Sequence, residues 1–146
     1  MRKTLFVSLM ALSGWTQAQM SPVGLWQSID DGNGQPKAEI AIAQRQDGGL
    51  SGKVERSLQV NPSTEANCVL CTDDRKNQSK IGMEIIRGGQ KAEGKDVWEG
   101  GKILDPENGK EYRLRLTPIE GGRKLEVRGY IGAPLLGRTQ VWNRIR

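Results

Sequence analysis

The sequence predicts an all-β fold, an eight-stranded antiparallel up-and-down β-barrel, on three observations. Apolar residues recur at every second position, and no long stretch carries the spacing of an amphipathic helix. Most connections are short turns rich in Gly, Asp and Asn, which suit antiparallel neighbours because parallel strands need long crossovers. Gly24-Leu25-Trp26 opens the series of strands and Trp142-Asn143-Arg144 closes it. A Trp in the first strand covered by an Arg from the last would latch the seam at which a barrel must close. Closure removes both edges and leaves an interior for side chains or one small ligand. An open sandwich would satisfy the same alternation.

The first strand is Gly24 to Ile29, ended by the turn Asp30-Asp31-Gly32-Asn33-Gly34. Lys37 to Arg45 follows, with Ala38, Ile40 and Ile42 on one face, and Asp47-Gly48-Gly49 turns it back. Leu50 to Arg56 returns with Leu50, Gly52 and Val54 aligned. A polar stretch, Asn61 to Ser79, is the one long irregular piece. Ile81 to Arg87, Val97 to Leu104, Glu111 to Pro118, Lys124 to Ile131 and Arg138 to Ile145 complete the set. Alternation is cleanest where Tyr112, Leu114 and Leu116 interleave with Glu111, Arg113 and Arg115. Leu125 and Val127 against Lys124, Glu126 and Arg128 repeat it, so one face is dry and one wet. Glycines inside strands (Gly52, Gly82, Gly100, Gly101, Gly129) permit the coiling and bulges a small barrel needs.

Residues 1–18 read as a cleaved signal peptide. Arg2 and Lys3 precede an apolar run from Thr4 to Thr16, and Thr16-Gln17-Ala18 offers small residues at the cleavage site. The run is too short for a membrane span and no later one exists, so we expect a periplasmic protein without a transmembrane segment. Residues 19–146 then form a single domain of ordinary size. Its formal charge falls from +5 to +3 because only Arg2 and Lys3 leave. Interspersed acids make that charge a solubility feature, and no nucleic-acid partner is expected. Oligomeric state and protein partners have no signature in the sequence.

A set of motifs runs in order through the chain: Gly24-x-Trp26, Gly52-Lys53-Val54, Cys68-x-x-Cys71, Ile81-Gly82 and the long run Trp98 to Tyr112. Leu125-x-Val127-Arg128-Gly129-Tyr130 and Gly137-Arg138-Thr139-Gln140-x-Trp142-x-Arg144 finish it. Together they resemble the bacterial secreted family catalogued as domain of unknown function 2147. That resemblance implies a lipocalin-like β-barrel in the periplasm with no established biochemical activity.

The chemistry left to the chain is narrow. It contains no histidine, which removes Ser-His-Asp triads, Cys-His dyads and imidazole metal sites. Cys68 and Cys71 in an exported chain are expected to form a disulfide, a local staple contributing about 2 kcal/mol. A thioredoxin-type site would want the pair at a helix N-terminus, and a zinc site would want more ligands. The carboxylates of Asp30-Asp31 and Asp105…Glu107 sit in turns, where backbone hydrogen bonding explains them. The Asp105–Gly109 turn lacks EF-hand spacing. No catalytic residue, metal or cofactor is therefore expected.

Trp98, Tyr112, Met83 and Ile85 are the candidate ligand-binding residues. Trp26, Trp142 and Arg144 are assigned to barrel closure, with a cation–π contact contributing about 0.5–2 kcal/mol. Arg113, Arg115 and Arg128, interleaved with Glu111 and Glu126, form an outward, solvated stripe. Ala133-Pro134-Leu135-Leu136 is expected to plug the barrel mouth, with partner or membrane docking as the alternative. The function expected is a non-enzymatic barrel binding a small apolar or amphipathic molecule. Its rival is a solid-cored barrel acting through its surface, in envelope interactions or stress.

Overall fold

The computed structural model describes residues 20–60 and 65–146. The expected signal peptide, residues 1–18, lies outside them, as does the start of the long irregular stretch. The described residues form nine strands: β1 (Gly24–Ile29), β2 (Pro36–Gln44), β3 (Leu50–Ser57), β4 (Glu84–Arg87), β5 (Gln90–Lys91), β6 (Trp98–Asp105), β7 (Lys110–Ile119), β8 (Lys124–Tyr130) and β9 (Gly137–Arg144). Their hydrogen-bonded order is β4-β3-β2-β1-β9-β8-β7-β6, and β4 pairs in turn with β6. Eight strands thus form a closed antiparallel ring, to which the two-residue β5 adds a short pairing on β6. No helix among the described residues is long and apolar enough to cross a membrane.

Alternation fixes register. On β8, Leu125 and Val127 are buried and face inward, with Leu125 opposite Trp142 and Val127 opposite Gln140 on β9. A slip of one residue would turn Lys124, Glu126 and Arg128 inward, so the pattern specifies the pairing strongly. The ring closes where Trp26 pairs with Arg144 and Gln27 with Asn143. Leu25 adds a donor to Arg146 O at 2.7 Å and accepts from Ile145 N at 2.8 Å.

The strand expected from Ile81 begins only at Glu84. Gly82 takes a left-handed φ of +83°, which breaks the extended run while its N–H still reaches Val54 O. The loop before it is folded rather than loose. Cys68 and Cys71 are joined in a disulfide, both fully buried, and Asn67 bridges to Ser79. This loop lies against the β6–β7 turn, where Gly109 combines a φ of +72° with close approach of the Leu70 carbonyl. Any side chain there would collide with backbone.

Arg75 anchors the same loop to the wall. Arg75 is only 4% exposed, and its guanidinium pairs with Asp73 at 2.5 Å and Glu111 at 2.7 Å and donates to Glu84 O at 2.9 Å. Arg87 adds a two-pronged contact to Asp74, both arms at 2.9 Å, and a bond to Glu84 at 2.7 Å. The hydrogen bond from Arg75 holds the Asp73 carboxyl down at about 2, against the opposing effect of burial. Loop, β4 and β7 are therefore tied together across the seam where β4 and β6 share only two residue pairs.

Candidate functional site

The barrel interior is divided along its axis. Toward the β2–β3 and β7–β8 turns it is solid: Trp26, Ile42, Leu50, Ile86, Leu116 and Leu125 are buried against one another. Toward the β1–β2, β6–β7 and β8–β9 turns lies a cavity of about 780 Å3. Its deep wall is apolar, formed by Ile40, Val54, Ile85, Leu104, Val127 and Trp142. Its rim carries Lys37, Lys80 and Arg138 together with Glu65, Asp105 and Glu107. That distribution is what a compartment for an apolar body with a solvent-facing end requires.

The division follows from side-chain size along the inward positions. On β2 these run Ile42, Ile40, Ala38 from floor to rim; on β8 they run Leu125, Val127, Gly129. On β9 they run Trp142, Gln140, Arg138, becoming polar instead of small. Bulk fills the floor and its loss opens the mouth.

Ile85 and Tyr112 border the cavity, but Trp98 and Met83 do not. Trp98 is the first residue of β6, opposite Leu116, so it packs in the solid floor with Lys91 above its ring at 5.8 Å. Met83 is buried in the core beside Gly82, where the chain has not yet entered β4. Of the residues assigned to closure, Trp26 and Arg144 meet at the base, and Trp142 is found in the cavity wall. The Trp142 indole N–H donates to Gln140 Oε1 at 2.8 Å, and Gln140 Nε2 donates to Asp31 at 2.8 Å. Asp31 also pairs with Arg138 at 3.0 Å. This chain of contacts links β9 to the β1–β2 turn above the short β1–β9 pairing.

The rim is a polar collar in which Lys80 pairs with Glu107 at 3.4 Å. The Asp105 and Glu65 carboxylates accept the backbone N–H groups of Glu107 and Asn67. Tyr112 and Tyr130 border the cavity as well. The expected plug does not seal the mouth: Leu136 borders the cavity, but Leu135 and Leu136 are 90% and 76% exposed in a short turn. On the outer face Arg115 stands opposite Arg128, paired with Glu99 at 3.1 Å, while Arg128 donates to Pro134 O and Thr139. Among the described residues no group of three His, Cys, Asp or Glu could hold a metal ion.

The sequence profile of a bacterial family described as "Uncharacterized protein conserved in bacteria (DUF2147)" matches residues 24–144. The chain belongs to this family. The match runs from the first residue of β1 to the last of β9 and so spans the whole barrel of this chain. Among solved structures the chain is similar to protein HP1028 from Helicobacter pylori, described as belonging to the lipocalin family. The two superpose with a TM-score of 0.71 at 17% identity, covering 85% of this chain and 82% of that one. At that identity the likeness is one of fold: a lipocalin-like barrel. No curated protein matches the chain.

Proposed function

We propose that this DUF2147 protein is a periplasmic, non-enzymatic carrier of a small apolar or amphipathic molecule held inside the barrel. The observation that carries the reading is the cavity of about 780 Å3, apolar in depth and polar at its rim. Binding would come from burial of apolar surface, at about 25 cal/mol per Å2, with the collar left to orient a polar end. Export is supported by the residue pattern of positions 1–18 and by a buried disulfide, a bond that persists in oxidising compartments. A non-catalytic role is supported by a chain without histidine and by rim carboxylates already engaged with Lys80 or backbone donors.

Native mass spectrometry of freshly purified protein tests the reading. The expected result is a bound adduct that extraction with organic solvent removes, and rebinding of an apolar probe such as N-phenyl-1-naphthylamine. A protein that carries no adduct and leaves the probe's emission unchanged would remove the reading and return the function to the outer surface.

A further inference from the structure

We propose that the mouth of the barrel docks on a lipid bilayer, with the β8–β9 loop as the inserted tip. Large apolar side chains exposed to solvent cluster at this end. Ile131, Leu135 and Leu136 are exposed on the loop, and Ile81, also exposed, borders the opening as well. Ile81, Ile131 and Leu136 also border the cavity, so exposed apolar surface and cavity wall are continuous. Exposed apolar groups gathered in this way mark an interaction site.

The loop's composition identifies the surface. From Gly129 to Gly137 no residue is charged, and Arg128 and Arg138 stand on either side. Apolar residues bracketed by cations match the layering of a bilayer, with acyl chains beneath a sheet of phosphates. The loop is also preset, because Arg128 Nε donates to Pro134 O at 2.7 Å and holds the turn that presents Leu135. An exposed, uncharged apolar loop standing beside a charged rim suits insertion into a fluid apolar phase better than contact with a flat protein face. Basic and acidic groups alternate around the rim, so docking depends on insertion rather than on net lipid charge. Phosphatidylcholine, which carries the phosphate without a net charge, is a sufficient target. The identity of this surface rests on the cavity reading, since apolar ligands reside in bilayers; the docking itself is measured separately.

Flotation with phosphatidylcholine vesicles, with and without phosphatidylglycerol, is the test. The wild-type protein is expected to float with both, and Leu135→Asp to reduce its partitioning by about tenfold. Leu135→Phe is expected to retain it. Leu135 lies off the cavity wall, so uptake of N-phenyl-1-naphthylamine in the absence of vesicles should be equal in all three proteins. A wild type that remains with the soluble fraction, or a Leu135→Asp variant that floats as well, overturns the proposal whatever the probe does. Failure of probe uptake with flotation intact would instead count against the cavity reading alone.

Discussion

The guanidinium of Arg144 lies 4.1 Å from the centroid of the Trp26 ring and donates to the carbonyls of Ser21, Val23 and Gly122. One side chain from the last strand thus covers the fully buried Trp of the first and ties down the residues before it. Trp26 itself donates from Nε1 to Pro22 O at 2.7 Å, so the segment entering β1 is fixed from both sides. Arg144→Met should remove the cation and leave three carbonyls to find water. We expect a loss of roughly 2–4 kcal/mol in denaturant unfolding, with Arg144→Lys recovering only part of it. A variant within experimental error of wild type would show that backbone pairing alone closes the ring.

The Asp73 carboxyl sets an acid limit on the long loop. Its folded value of about 2 lies below the 3.8 of the free group, so its stabilising effect is complete above the latter. It is then lost as pH falls from about 4 toward 2. Unfolding midpoints of wild type and Asp73→Asn should differ at pH 6 and draw together as pH falls from about 4 through 2. The carboxyl is partly exposed, so the gap is smaller than the shift alone implies. A gap independent of pH would separate Asp73 from Arg75.

Arg75 should matter more than Asp73. Arg75→Met leaves the Glu84 carbonyl without its side-chain donor and Glu111, a third exposed and still paired with Lys102, with one partner fewer, a change expected to cost about 1–3 kcal/mol. Thermal unfolding of the variant reads this directly.

Removal of the disulfide should act locally. Cys68→Ala/Cys71→Ala is expected to lower stability by about 2 kcal/mol, the chain-entropy value for so small a ring. Hydrogen exchange should quicken in residues 65–80 and stay unchanged in β2 and β8.

Filling the cavity should separate binding from folding. Ala38 borders the cavity and has space on its inward side, so Ala38→Phe should weaken uptake of N-phenyl-1-naphthylamine by about tenfold or more. Its stability should stay within about 1.5 kcal/mol of wild type, because the new ring enters open space instead of a packed core. Retained uptake would place the probe elsewhere.

Much of the fold could be read from the residues because it is written in local periods. The run Tyr112, Leu114, Leu116 and the turn Asp47-Gly48-Gly49 each specify their own geometry. The Trp26–Arg144 pairing was legible for a different reason, since a barrel obliges its end strands to meet. Trp98 was misread as a cavity residue because alternation gives the face of a strand but not the depth along it. Depth is set by register, which places Trp98 opposite Leu116 near the floor. The decreasing size from Leu125 through Val127 to Gly129 was the available signal, and it becomes meaningful once those positions are known to point inward. The anchoring role of Arg75 carried no signal, since Asp73 is a local partner two residues away while Glu84 and Glu111, which tie the loop to the wall, lie 9 and 36 residues away.

The narrowing from Ala38 and Gly129 at the opening to Ile42 and Leu125 at the bottom has a geometric consequence for whatever enters. A slender, flexible tail can descend to the tryptophan-lined depths, whereas a rigid, broad body must halt near the tyrosines. Orientation of the guest is thereby decided by girth, before any hydrogen bond is made.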